Sequence, residues 1–164
     1  MAGTLDLMNT ARLSFYDNLP TALIVQGTSQ TFATSSSDAA IIFDTANVDN
    51  WGGWSNANPT RYTFQVAGLY LLSGSIAWGG NSAGRRITYL KINGSTAIPG
   101  SAGDLASPST NTQVTITPTV MWQAAVGDYV EVIGNQSSGG SLSTNGSGAT
   151  SAFIPSLTVQ WLHL

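Results

Sequence analysis

The chain has no cysteine, one histidine, one glutamate and five lysines and arginines in 164 residues. Without thiols there are neither disulfides nor thiolate metal sites, so stability rests on packing. Charged residues make up 8% of the chain, against roughly 25% in an average soluble domain. Ser, Thr, Asn, Gln and Gly supply the polarity instead, as expected of an extracellular or virion protein that does not depend on charge for solubility. The formal net charge is -3, and phosphate binding is driven by clustered Lys and Arg, so no nucleic-acid partner is expected. Arg85 and Arg86 are the one adjacent basic pair; capping a strand end is the preferred reading, gripping a phosphate the other. No apolar run approaches the roughly 18 residues of a membrane span, and no charged leader precedes an apolar stretch, so neither a membrane partner nor a signal peptide is expected.

Catalytic machinery is missing as well. The histidine, His163, is the penultimate residue, whereas a Ser-His-Asp site needs an imidazole held between nucleophile and carboxylate. Zinc lacks ligands. A glycosidase needs two opposed carboxyl groups, and Glu131 with Asp128 is better explained as hairpin geometry. The glycines from Gly79 to Gly84 lack the Lys-Ser/Thr ending of a phosphate loop. Neither enzymatic activity nor a cofactor is expected.

What is present centres on Tyr62 to Trp78, YTFQVAGLYLLSGSIAW. Side chains alternate with period two along a strand, so Tyr70, Leu72, Ile76 and Trp78 form one face and Leu69, Leu71 and Ala77 the other. A strand apolar on both faces must be covered on both, and the second cover is read as a subunit interface. Gly68 is a turn signal and sets the start of the strand.

Around this strand the chain divides into an N-terminal arm, residues 1–10, and one domain, residues 11–164. The arm carries Leu5, Leu7 and Met8 and is either frayed or an attachment element. Short strands are expected at Ala11–Tyr16, Ala22–Val25 and Ala40–Phe43, with Pro20 placing the first two near an edge. Asp44–Pro59 reads as a loop. Its Asp44, Asn47, Asp49 and Asn50 are oxygen donors for a hard cation such as calcium, or ordinary Asx turns; the EF-hand spacing is absent and no metal is assigned. Trp51 and Trp54 in the same loop either anchor it to the core or stack on a sugar. Arg85–Asn93 is a returning strand ending in the Asn93-Gly94 turn, and Ser95–Asn111 a long loop anchored by Ile98 and Leu105. Strands follow at Gln113–Trp122 and Tyr129–Gly134, then a weak hairpin about Asn145-Gly146 and a closing strand with Leu157, Val159, Trp161 and His163 on one face. Eight to ten short strands without an amphipathic helix predict an all-β antiparallel jelly-roll sandwich.

Three pieces in order, Phe64-Gln65-Val66-Ala67-Gly68-Leu69-Tyr70-Leu71-Leu72, Gly127-Asp128-Tyr129-Val130-Glu131-Val132 and Ser151-Ala152-Phe153 leading to Trp161, resemble the trimeric jelly-roll superfamily of tumour necrosis factor and complement component 1q globular heads. Trp78, Gly84-Arg85-Arg86 and Ile92-Asn93-Gly94 look most like bacterial and bacteriophage members. No collagen-like stalk precedes the head. The resemblance implies a homotrimer with Leu69, Leu71 and Ala77 toward the threefold axis and Tyr70, Leu72, Ile76 and Trp78 in the sandwich. The expected function is a non-enzymatic virion surface protein, either a capsid decoration or a tail-fibre knob, contacting other virion proteins. The alternative is a receptor- or carbohydrate-binding module using Trp51 and Trp54.

Overall fold

The computed structural model describes residues 18–34, 37–106, 109–146, 148 and 150–164. The arm residues Leu5, Leu7 and Met8 and the expected strand Ala11–Tyr16 lie outside the described residues. All regular structure within them is β: β1 Thr21–Val25, β2 Thr31–Phe32, β3 Ala39–Ala40, β4 Thr45–Asp49, β5 Arg61–Thr63, β6 Gly68–Trp78 and β7 Arg86–Ile92. There follow β8 Thr96–Ala97, β9 Gly103–Leu105, β10 Gln113–Ile116, β11 Val120–Ala124, β12 Tyr129–Gln136, β13 Leu142–Ser143 and β14 Ser156–His163.

Two antiparallel sheets face each other. In the first, β6 is flanked by β14 on one side and by β10 and β11 on the other, and the order continues from β14 through β1 to β4. In the second, β12 pairs with β7, β3 and β5, and β7 carries β8 and β9. A two-stranded piece, β2 with β13, closes one end. The strand β6 starts at Gly68 because its φ of 143° is unsuited to a side chain, and a Cβ there would lie 2.3 Å from Trp161 Nε1.

The core lies between the sheets. Tyr70, Leu72, Ile76 and Trp78 point into it with Leu157, Val159 and Trp161, against Leu90, Val130 and Val132 of the second sheet. The sheets close tightly at two glycines: a Cβ on Gly74 would lie 2.7 Å from Val132 Cγ2, and one on Gly134 would lie 2.8 Å from Ile76 Cδ1. Protein interiors have no slack for such atoms.

Several expectations need correction. Gln113–Trp122 is not one strand: Pro118 offers no backbone N–H, and the ladder to β6 breaks into β10 and β11 with a one-residue change of register. The bend is held by the Gly74 N–H donating to Thr117 Oγ1 at 2.8 Å. Asp44–Pro59 contains β4, which pairs with β1, and Ser95–Asn111 contains β8 and β9. Of the expected strand Ala40–Phe43 only Ala40 lies in one, β3, although Ile41 and Phe43 are buried. Among the described residues no strand pair is centred on Asn145-Gly146: β13 pairs with β2, and the Asn145 N–H donates to the Ala77 carbonyl. A register shift between Trp161 and His163 takes His163 off the buried face of β14, and it is exposed.

Candidate assembly interface

Residues directly opposed in an antiparallel ladder share a face, so the outward face of the first sheet follows from its register. On β6 it carries Leu69, Leu71, Ser73 and Ser75, each half-buried. The rows across the sheet join Met121 to Leu71, Ile116 to Ser75, and Val114 to Ala77. In the other direction Gln160, Thr158 and Ser156 of β14 lie beside Leu71, Ser73 and Ser75, and Thr21, Leu23 and Val25 of β1 lie beyond them. None of these side chains is ionisable; His163, which the register places opposite Leu69, is the titratable neighbour of this face. Ile116 and Met121 are each 63% exposed, and Val48, opposite Leu23 on β4, is also exposed.

Ala77 departs from the expected interface. It shares the parity of Leu69 and Leu71 but is fully buried within one protomer. The segment 143–145 runs back along the end of β6, with Gly79 N–H bonded to the Ser143 carbonyl and Trp78 bridged to Thr144. Ala77 therefore has no surface left to offer a partner.

The charges sit elsewhere. Among the described strand residues, Arg61, Arg86, Lys91, Asp104 and Glu131 all belong to the second sheet, and Asp49 at the end of β4 is the exception. On the outward face of that sheet Arg61 stacks 4.4 Å above the Tyr129 ring. Arg85, just before β7, makes a two-pronged pair with Asp104 at 2.6 and 2.7 Å. Asp38 accepts hydrogen bonds from Tyr89, from Asn135 at 3.1 Å and from Lys91 at 3.4 Å. Arg86 points inward, 1% exposed, and donates to the carbonyls of Asn81, Ala83 and Arg85, so it closes the start of β7 and has no room for a phosphate.

Partial burial pushes the Asp38 carboxyl up, but the hydrogen bonds from Tyr89, Asn135 and Lys91, with the Lys91 charge, outweigh it and hold it below its ordinary 3.8. A carboxyl depressed on folding contributes stability above its unfolded value and loses it as pH falls through the lower folded one. We expect stability to decline with acid below about pH 4, and Asp38→Asn to flatten part of that decline in urea titrations. An unchanged acid limb would contradict the assignment.

The aromatic loop is built for anchoring. Trp54 is half-buried against the core with its indole N–H donating to the Pro59 carbonyl at 3.2 Å. Trp51 is 38% exposed, and its indole N–H donates to the Asn18 carbonyl at 2.7 Å. Asp49 and Asp44 make turn contacts: Asp49 accepts from the N–H groups of Gly53 and Trp54, and Asp44 from those of Gly27 and Thr28. Among the described residues no three His, Cys, Asp or Glu side chains come together as a metal site.

The class defined by this architecture is the tumour necrosis factor-like jelly roll, an all-β antiparallel sandwich. Its solved likenesses include Eiger TNF from S. frugiperda, at a TM-score of 0.63 and 10% identity, over 90% of this chain and 95% of that one. Murine APRIL in a crystal structure at pH 5.0 matches at a TM-score of 0.59 and 12% identity, over 87% of this chain and 98% of that one. No family model and no curated protein matches the sequence. At such identities the likeness establishes the fold.

Proposed function

We propose that the chain is a non-enzymatic structural protein that assembles as a homotrimer through the outward face of the β6 sheet and forms a knob on the surface of a bacteriophage particle. The observation that carries the assembly is the segregation of charge. One sheet shows an uncharged, partly apolar face with Leu69, Leu71, Ile116 and Met121, and the other carries almost every strand-borne charge. Charged side chains are depleted at the centres of protein interfaces, and contiguous exposed apolar surface marks contact sites. In this arrangement the β6 sheet turns inward and the sheet with Arg61, Lys91, Asp104 and Glu131 faces solvent.

The virion placement is supported by composition: a neutral surface of Ser, Thr, Asn and Gly in a chain with 8% charge suits a packed assembly. Within the particle the knob decorates the capsid or ends a tail fibre, in contact with other virion proteins, and the arm with Leu5, Leu7 and Met8 is the attachment element. Immunogold labelling of intact particles tests this directly. Label over the head means decoration, label at the tail end means a host-recognition knob, and unlabelled particles would sink the virion reading.

A further inference from the structure

Where β1 ends and β4 has yet to begin, the chain builds a polar cleft of about 240 Å³, lined by Gln26, Thr28, Ser29, Gln30, Ile42 and Asp44. Sites for drug-sized molecules start at roughly 300 Å³, so this one has room for a single small ring. Its amides are fixed in advance. Gln26 is fully buried; its Nε2 donates to Gln30 Oε1 and to the Ile42 carbonyl, both at 3.0 Å, and its Oε1 accepts from the Thr144 hydroxyl. Gln30 Oε1 also accepts from the Ile42 N–H, and Gln30 Nε2 donates to the Ala40 carbonyl, each at 2.9 Å. A side-chain amide has two N–H donors and a hydroxyl one, so Gln30 keeps an unspent donor, and Ser29 keeps its own because its Oγ accepts from the Gly146 N–H at 3.2 Å.

Charge narrows the ligand. Partial burial pushes the Asp44 carboxyl up, but hydrogen bonds from the N–H groups of Gly27 and Thr28 and from the hydroxyls of Thr45 and Thr28 outweigh it and hold it below its ordinary 3.8. An anion would meet that carboxylate with no basic residue in the lining. A carboxylate offers about four lone-pair sites, and these four donors fill them, so an ammonium finds no acceptor there. What remains are the donors of Ser29 and Gln30 and the oxygen of Thr28, a mixture matched by alcohol groups, which both donate and accept. Ile42, half-exposed, adds an apolar wall. Phe153, 59% exposed, stands on a loop tied to this wall: Asn145 Nδ2 donates to its carbonyl, Gly146 donates to Ser29, and the Gln26 N–H donates to the Pro155 carbonyl. A free aromatic face there is a surface for a second ring.

We propose that this cleft binds one ring of a neutral oligosaccharide, with Ser29, Gln30 and Thr28 meeting its hydroxyls, Ile42 its C–H face and Phe153 the adjoining ring. The site is distinct from Trp51 and Trp54. Trp51 bonds Asn18 at the other end of β1, five residues or roughly 17 Å away. The proposal rests on the knob reading for its orientation alone: in a knob attached through the residues before Asn18, the cleft lies at the end away from Asn18.

Saturation-transfer difference NMR on the full chain reads weak sugar binding directly. The probes are glucose, galactose, mannose and rhamnose, one at a time at millimolar concentration, with glucuronate and glucosamine as charged controls. The expected result is saturable transfer to the ring protons of at least one neutral sugar and to neither charged one. Ser29→Ala should weaken that binding about fivefold, the worth of one hydrogen bond, and Ile42→Asp should abolish it. Val126→Asp, on the turn at the Gly68 end of the sandwich, should leave it unchanged. Ser29 and Ile42 are exposed, so both variants should keep the native urea midpoint. Phe153→Ala should spare the single sugar and weaken the matching disaccharide. No saturable transfer from any of the four, equal transfer to glucuronate, or binding that survives both Ser29→Ala and Ile42→Asp overturns the site. These outcomes leave the virion reading standing, because that falls only to unlabelled particles, and unlabelled particles leave the site standing.

Discussion

Replacing Trp78 with alanine is expected to destabilise the fold by about 3–5 kcal/mol, the usual cost of deleting a large buried aromatic. Trp78 is among the largest fully buried side chains and sits where three pieces of sheet converge. Its ring meets Phe32 of β2 edge-on at 5.1 Å, and its indole N–H donates to Thr115 Oγ1 of β10 at 2.8 Å. Thr115 in turn bonds Thr88 Oγ1 of β7, so a buried chain of polar groups links the two large sheets. A Cβ on Gly134 would already come within 3.0 Å of the indole, so the wall beside Trp78 is its neighbours' backbone and cannot collapse far into a cavity. A domain of this size has roughly 5–15 kcal/mol in total, and the loss is a large part of it. Trp78→Phe keeps much of the ring but not the N–H, and should cost only about 1–2 kcal/mol. Urea denaturation with a common slope reads both. A Trp78→Ala protein within about 1 kcal/mol of the native one would contradict the packing argument.

How far these features are legible in the sequence differs from element to element, for physical reasons. The run from Gly68 to Trp78 is legible because period-two alternation and a glycine at a positive φ are local properties, and Tyr70, Leu72, Ile76 and Trp78 lie in the core. The split between β10 and β11 has a local signal too, since Pro118 stands in the middle of Gln113–Trp122. By contrast β4, Thr-Ala-Asn-Val-Asp, alternates in no useful way; it is an edge strand whose pairing is dictated by β1. The pairing of β13 with β2 joins residues more than a hundred positions apart, which no local pattern encodes. Ala77 shows the same limit: parity places it outward, and only the return of 143–145 along β6 covers it. A shallow cleft lined by Leu23 of β1, Ser75 of β6, Ser156 of β14 and the segment 150–154 is equally nonlocal. Charge segregation becomes visible once the register assigns Lys91 to the same sheet as Glu131 and Leu71 to the same row as Met121.

Leu71→Asp is expected to abolish assembly without unfolding the protomer. Leu71 is half-buried on the outward face of β6, between Met121 on one neighbouring strand and Gln160 on the other, and the row contains no cation to receive a carboxylate. Within a protomer the new charge remains hydrated, so the cost to folding is that of a partly exposed leucine, under about 1 kcal/mol. In a closed trimer the substitution occurs three times at once. Each copy forfeits roughly 1.5–3 kcal/mol of apolar burial and places an unpaired carboxylate in a neutral interface, so the ring is destabilised by at least several kcal/mol. Sedimentation should therefore find the 17.0 kDa chain where the native protein gives about three times that mass, with the urea midpoint extrapolated to low protein concentration nearly unchanged. Ala77→Asp, by contrast, should unfold the protomer because Ala77 is enclosed within one chain. A Leu71→Asp protein that remains trimeric would place the contact on the charged sheet instead, where Arg61, Lys91 and Glu131 would have to be desolvated in the interface.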